Sequence, residues 1–408
     1  MNRMLIVAPI RPMYSTWPAE IDKWEDFNHL TYTILHGKNK GDEVNKDVDV
    51  YLINPEGLAW LIDKYPKFLE TVSVLCIDES SKFKSSTSQR FKKLKPYIPV
   101  FQRRWCLTGT PTPNGIMDLF GQIYILDQGS SLGKYITHFR NKYFYQSGFG
   151  GYTWTPLPGS FDSIIEKTAP LILQLNAKDH LDMPELMLIN RTVELNEHAT
   201  EVYKTIEKEF LIQLGDNLIV AANAAAAGTK CRQVANGAVY VNDEGDYENV
   251  HDAKLEELED LIEELGGAPT LLLYEFKHDA ERIEAEFGYP NLTGKSAAKS
   301  QKLIDDFNRG EIPCLLGHPA SMGHGLNLQG NCHHVIWYGI TWNLEHYDQA
   351  IARVYRQGQR ADTVFVYHIV AKDTLDERVL DVLKAKDRNQ TTLREALANE
   401  RETKILHR

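Results

Sequence analysis

The sequence predicts an α/β protein with parallel sheets in residues 1–128 and 251–408 and a mainly helical stretch between them. Three observations predict it. Short apolar runs recur that are continuous rather than alternating, as strands buried on both faces read. Amphipathic stretches separate those runs, which is the α/β alternation. Polar residues able to do chemistry follow several runs directly, where open α/β sheets place their working groups.

In residues 1–128 the runs are Leu5–Ala8, Val50–Ile53, Val74–Ile77 and Trp105–Leu107, all expected as buried parallel strands. Trp17–Trp24 is an amphipathic helix between them. Residues 129–250 change in character. Tyr135, Phe139, Tyr143, Phe144, Tyr145, Phe149, Tyr152 and Trp154 crowd together with Gly148, Gly150 and Gly151. This cluster reads as the core of a small helical insertion, with base stacking as the alternative. Helical patterns follow at His198–Leu214 and through the alanine-rich Ala221–Ala227. Residues 251–408 resume the alternation. Leu255–Leu265 and Lys277–Phe287 read as helices, and Thr270–Tyr274, Cys314–Leu316, Val335–Tyr338 and Val364–Ile369 as strands. Thr374-Leu375-Asp376-Glu377 has the spacing of a capping box and opens the last helix.

At 408 residues the chain is long enough for two or three domains, and 43% hydrophobic with 25% charged residues is ordinary for a globular protein. No apolar run reaches the length of a membrane span, and there is no signal-peptide pattern. The five cysteines contain no C-x-x-C pair, which argues against a zinc site or a disulfide framework and for a reducing cytoplasm. A net charge of −11 excludes nucleic-acid binding by bulk charge, so any such contact must be local. One patch stands out. Ser80 to Met117 holds no acidic residue, yet contains Lys82, Lys84, Arg90, Lys92, Lys93, Lys95, Arg103 and Arg104. A solvated helix face is the plainer alternative.

Four constellations carry chemistry. Asp78-Glu79-Ser80-Ser81 follows the run Val74–Ile77. Adjacent carboxylates at a strand end suit a magnesium-bound nucleotide, the Asp holding the metal through water and the Glu orienting the attacking water. Alone, the pair would more often be a helix N-cap. Thr108-Gly109-Thr110-Pro111 follows the next run, where small residues allow close backbone approach; the alternative is a plain turn. Gly323 and Gly325, with Asn327 between leucines, permit contact with a phosphate or sugar. Gln349, Arg353 and Arg356 fall at i, i+4 and i+7 in the helix expected after Asn343, hence on one face. Two arginines so placed could reach a γ-phosphate as fingers, whose removal in known systems costs about 10³–10⁵ in rate.

In order, Asp-Glu-Ser-Ser, Thr-Gly-Thr-Pro, Gly-His-Gly-Leu-Asn-Leu and Gln-x-x-x-Arg-x-x-Arg-x-Gly-Gln resemble motifs II, III, V and VI of the Swi/Snf-type ATPases of helicase superfamily two. Ile6-Val7-Ala8-Pro9 resembles motif Ia, Ile53-Asn54-Pro55-Glu56 motif Ib, and Leu272–Phe276 motif IV. Cys231–Gly237 looks like the family segment before the second lobe. The compact length looks like the short bacteriophage or bacterial members, which would place the protein in a host cytoplasm. DEAD-box RNA helicases are a poorer match, since motif II here is not Asp-Glu-Ala-Asp. The resemblance implies two RecA-like lobes joined through a mainly helical insertion, facing each other across an ATP and Mg2+ site and gripping double-stranded DNA. It assigns Asp78 and Glu79 to metal and water, Arg353 and Arg356 to the fingers and Gln349 to cleft closure. Thr108, Gly109, Thr110, Gly323, Gly325 and Asn327 fall to the nucleotide side. Pro9, Asn54, Lys82, Lys84, Lys92, Lys93 and Lys95 fall to DNA.

One element departs from that pattern. No G-x-x-x-x-G-K-[ST] occurs in the sequence. Gly294-Lys295-Ser296 is no substitute, because the first glycine would fall at Tyr289. The loop supplies backbone N–H groups and a lysine around the β- and γ-phosphates. The first lobe is therefore expected to lack its leading strand and loop, leaving two neighbouring strands with unpaired edges. A start lying upstream of Met1 is the preferred reading. A partner supplying the segment, or a relative that binds DNA without hydrolysis, are the others.

Overall fold

Continuous apolar runs become parallel strands in two separate units. The structure, a computed structural model, describes residues 3–147, 153–175, 181–215, 220–322 and 326–406. One unit comprises Met1–Gln174 with Lys386–Arg408, the other Leu175–Ala385. Residues 129–250 are thus divided between the two.

The first unit holds β1 (Arg3–Val7), β2 (Tyr32–Ile34), β3 (Val50–Ile53), β4 (Val72–Asp78) and β5 (Arg103–Leu107), in the order β2-β3-β1-β4-β5. Every pairing is parallel. Strands β1, β3 and β4 are covered on both faces, which is why they read as unbroken apolar runs. Leu5, Val7, Tyr51, Ile53, Leu75 and Ile77 pack against Leu58, Leu61, Phe91 and Leu94 on one side. Ile6, Ala8, Val50, Leu52 and Cys76 pack with Met13 and Ile21 on the other.

Two expectations change here. The described sheet has no interior gap, so no pair of strands is left facing an empty position. Its unpaired edge is β5 alone on that side, and β5 is not buried. Trp105 is 48% and Leu107 44% exposed, because Arg103, Trp105 and Leu107 share the uncovered face of an edge strand.

β6 (Phe144–Ser147) and β7 (Thr153–Pro156) form an antiparallel hairpin. Phe139, Tyr143 and Phe144 are buried with Phe120, Ile123, Ile164 and Ile165. The aromatic cluster is therefore a small core as far as it is described. Tyr135 and Tyr145 are exposed, and Gly148, Phe149, Gly150, Gly151 and Tyr152 lie outside the described residues.

In the second unit β8 (Glu185–Val193) precedes two helices, Glu197–Gly215 and Val220–Ala235, and the short antiparallel pair β9 (Ala238–Tyr240) and β10 (Tyr247–Asn249). β11 (Thr270–Leu273), β12 (Cys314–Gly317), β13 (His334–Trp337) and β14 (Thr363–Ala371) complete the sheet, ordered β12-β11-β13-β14-β8 and parallel throughout. The strand β8 was not expected. Its Leu186, Met187 and Leu188 stay exposed, so it lacks the buried run by which the other strands are recognised.

A buried polar network ties Cys231–Gly237 to this sheet. Lys254, fully buried, donates to Asn236 Oδ1 at 2.8 Å and to the Tyr338 carbonyl at 3.1 Å, and lies 2.6 Å from Asp376 Oδ2. Arg282 donates to the carbonyls of Asn236 and His251. Gly237 has φ +107°, and a Cβ there would meet Arg282 Nη1 at 2.3 Å, so glycine is required twice over.

The last helix begins at Leu375, and Thr374 Oγ1 accepts from the Asp376 amide at 3.2 Å. Asp376, rather than Glu377, supplies the carboxylate that reaches back, accepting from the Ala371 amide. Among the described residues no helix is long and apolar enough to cross a membrane.

Candidate functional site

In the first unit, Asp78 ends β4 and Glu79 follows in the left-handed region, at φ 54° and ψ 54°. A non-glycine residue held there costs about 1–2 kcal/mol and needs surroundings that impose it. They do so on both sides. Asp78 Oδ2 accepts from Trp17 Nε1 at 3.0 Å, and Oδ1 from the Glu79 amide at 3.0 Å. Burial pushes the Asp78 carboxyl above the usual range, against the opposing pull of those two donors and of Lys82. Ser80, completely buried, donates to Gln122 Oε1 at 2.8 Å.

The Thr108–Pro111 segment leaves β5 beside this point. The Thr110 amide donates to Thr108 Oγ1 at 3.2 Å, closing a tight turn in which Thr110 is buried and Gly109 exposed. Pro9 caps the short helix Ile10–Tyr14 after β1. Asn54, buried at the end of β3, donates to Glu56 Oε2.

The basic patch is not uniform. Arg90 donates to Glu56 and to the Lys82 carbonyl, and Lys93 pairs with Asp63. Lys95 sits over the rings of Tyr124 and Tyr135, 4.8 and 5.7 Å from their centroids. Lys82 and Lys84 are half-buried, whereas Lys92 is exposed.

In the second unit the expected single helical face fails. The helix runs only from Leu344 to Ile351, capped by Asn343, whose side chain accepts from the His346 amide. Gln349 is on it; Arg353 and Arg356 lie in the turns beyond. The i→i+4 ladder already ends at the Arg353 amide, which turns to the Ala350 carbonyl at 3.2 Å, and beyond it the Arg353 carbonyl is diverted to the Leu328 amide at 3.0 Å. That diversion brings two motifs together. Arg356 Nη1 donates to Asn327 Oδ1, and Arg353 Nε caps the helix at the Gln349 carbonyl, 2.9 Å away. Gly323 and Gly325 lie outside the described residues.

The hard oxygen donors of Asp78 and Glu79 fit Mg2+. Burial pushes the thiols of Cys76, Cys106 and Cys332 up to about 12 and that of Cys231 to about 11, and no group of three or more metal-ligating side chains occurs among the described residues. No G-x-x-x-x-G-K-[ST] loop accompanies the carboxylates in this sequence. Trp17 and Gln122 were missed by sequence reasoning. Gln122 had a signal, being one amide inside the apolar helix Leu119–Asp127; Trp17 had none.

Comparison with known proteins gives two domain matches, a SNF2-related domain over residues 1–239 and a helicase conserved C-terminal domain over residues 253–358. "Putative protein p41" of Acyrthosiphon pisum secondary endosymbiont phage 1 is 36% identical, over 96% of this chain and 88% of that one. An uncharacterized ATP-dependent helicase of Mycoplasma pneumoniae is 26% identical over 94% of this chain, which spans only 36% of that protein. The RAD54-like DNA repair and recombination protein of Drosophila persimilis is 22% identical over 93% of this chain and 54% of its own length. The Sulfolobus solfataricus SWI2/SNF2 ATPase core, solved with dsDNA, aligns at a TM-score of 0.41 with 21% identity, over 96% of this chain and 84% of that one.

Proposed function

This chain belongs to the SNF2-related family of helicase-like proteins, and on that premise we propose that it carries the working core of an ATP- and Mg2+-dependent motor on duplex DNA. The observation behind this reading is the pair Asp78 and Glu79 at the carboxyl end of a parallel strand, fixed by Trp17 on one side and Gln122 on the other. Asp78 would hold the metal and Glu79 the attacking water. By the family motifs, Asn327, Gln349, Arg353 and Arg356, with Gly323, Gly325, Thr108, Gly109 and Thr110, would serve the nucleotide. Bound Mg2+-ATP supplies the phosphoanhydride whose cleavage drives the cycle. The setting that suits this chemistry is the cytoplasm of a bacterial or phage-infected cell.

Residues 1–408 by themselves are expected to hydrolyse ATP negligibly, because no loop in the sequence can neutralise the β- and γ-phosphates. Phosphate release with duplex DNA, ATP and Mg2+ should stay at the buffer background. A DNA-stimulated rate that Glu79→Gln abolishes would overturn that expectation. A DNA-binding or regulatory module without turnover is the alternative reading, and the two domain matches do not favour it.

DNA binding has its own test. Lys92→Ala should weaken duplex binding more than Lys93→Ala or Lys95→Ala, since Lys93 is already paired and Lys95 lies on aromatic rings. Each lysine withdrawn from a DNA phosphate should lower the slope of log affinity against log salt by about 0.9. Equal affinity for the Lys92, Lys93 and Lys95 triple alanine variant across salt concentrations would remove these three lysines and leave Pro9, Asn54, Lys82 and Lys84 as the remaining candidates.

A further inference from the structure

Gln122 bridges two chemistry-bearing segments. It is 4% exposed in the helix Leu119–Asp127. Its Oε1 accepts from Ser80 Oγ at 2.8 Å, one residue beyond Asp78-Glu79. Its Nε2 donates to the Pro111 carbonyl at 2.7 Å, at the end of Thr-Gly-Thr-Pro, and to the Asp118 carbonyl at 3.0 Å within its own helix. Both amide hydrogens and the oxygen are engaged.

The adjacent residue makes the same joint from the backbone. A Cβ on Gly121 would stand 2.3 Å from the Phe83 carbonyl oxygen and 2.6 Å from that of Lys84. The helix therefore lies directly on the backbone of the Ser80–Phe83 turn, with no side chain between. Helix position and amide geometry are independent observations: both seat the helix on the turn after Asp78-Glu79, and the amide adds the segment Thr108–Pro111.

We propose that Gln122 is a positioning residue that makes the carboxylate segment Asp78–Ser81 and the segment Thr108–Pro111 move as one body. A change in either, on binding metal and nucleotide or on binding DNA, is thereby imposed on the other. The proposal rests on the reading of Asp78 and Glu79 given above only for what is transmitted; the mechanical link stands on the hydrogen bonds. An unpaired buried amide or hydroxyl in this low-dielectric site is costly enough that the link breaks as a unit rather than by stages.

The test is amide hydrogen exchange on the whole chain, comparing the parent protein with Ser80→Ala, Ser80→Thr and Gln122→Leu. Ser80→Ala removes one bond on the carboxylate side only. It should raise exchange about tenfold both in residues 80–84 and in residues 108–112, which Ser80 reaches through Gln122, while β1 and β3 stay unchanged. Ser80→Thr keeps the hydroxyl and should restore both. Gln122→Leu should match or exceed the Ser80→Ala effect at the same two places. An effect of Ser80→Ala confined to residues 80–84, or a Gln122→Leu effect spread evenly through the first unit, overturns the proposal. Duplex binding measured on the same proteins tests the functional reading separately. A chain that fails to bind DNA defeats that reading while the exchange pattern still decides the link.

Discussion

Replacing Lys254 with methionine is expected to destabilise the second unit by about 3–5 kcal/mol, the typical cost of breaking a buried ion pair from one side. The ammonium is fully buried and its hydrogens go to Asp376, Asn236 and the Tyr338 carbonyl. Methionine fills the space but leaves a buried carboxylate, an amide oxygen and a carbonyl without their donor. Damage should spread along the network, because Asn236 also donates to Asp279 and its carbonyl accepts from Arg282 and Tyr338. Asp376→Asn should cost less, since the neutral amide can still accept from the Ala371 amide and from Lys254. Urea unfolding followed by peptide-resolved exchange reads the second unit separately from the first. A Lys254→Met loss below about 1 kcal/mol would mean that the pair is not working as a buried one.

That network was invisible in the sequence, and the reason is general. A lysine at 254 beside Asp252, in a helix rich in Glu, reads as one more surface charge; only the fold brings Asn236, Tyr338 and Asp376 to it. The strands β1, β3 and β4 were legible because burial on both faces forces continuous apolar runs, a signal local to each strand. Where burial is one-sided the signal fails. β5 was expected as buried, yet it presents Trp105 and Leu107 at an edge, and β8 went unseen because its apolar residues are exposed. The site shows the same division. Asp78 and Glu79 were found because a strand end is readable. The helix carrying Gln349 was found too, but not its early end nor the turns beyond it, where the Arg353 carbonyl and the Arg356 side chain are held by Leu328 and Asn327, distant in sequence. Long-range hydrogen bonds leave no periodicity to read.

The second unit should also lose stability as pH falls from about 6.5 toward 4, and three histidines are the cause. His251, His334 and His368 are buried, and burial first of all depresses each to about 4, against an unfolded value near 6.5. Their neighbours reinforce the neutral form. Lys254 and Arg282 face His251, with Asp252 and the Val234 carbonyl opposing them; His333 faces His334 and Lys384 faces His368. His251 is locked as a tautomer as well. Its Nε2 donates to the Val234 carbonyl and its Nδ1 accepts from the Ala253 amide, so a second ring proton would point at an N–H. Folded, these rings stay neutral in this window; unfolded, they bind protons. The unfolded state therefore gains as pH drops, and stability present above pH 6.5 is lost at about 1.4 kcal/mol per pH unit for each histidine. All three together approach about 4 kcal/mol per unit, which exhausts a typical domain stability within the window. The first unit is the internal control, since none of its described histidines, His29, His36 and His138, is buried. Peptide-resolved exchange between pH 7.5 and 4.5 should show the second unit opening first. His334→Phe, placed among Phe365 and Tyr367, should flatten its slope by about a third. A slope unchanged by that substitution, or two units opening together, would assign the acid response to other groups.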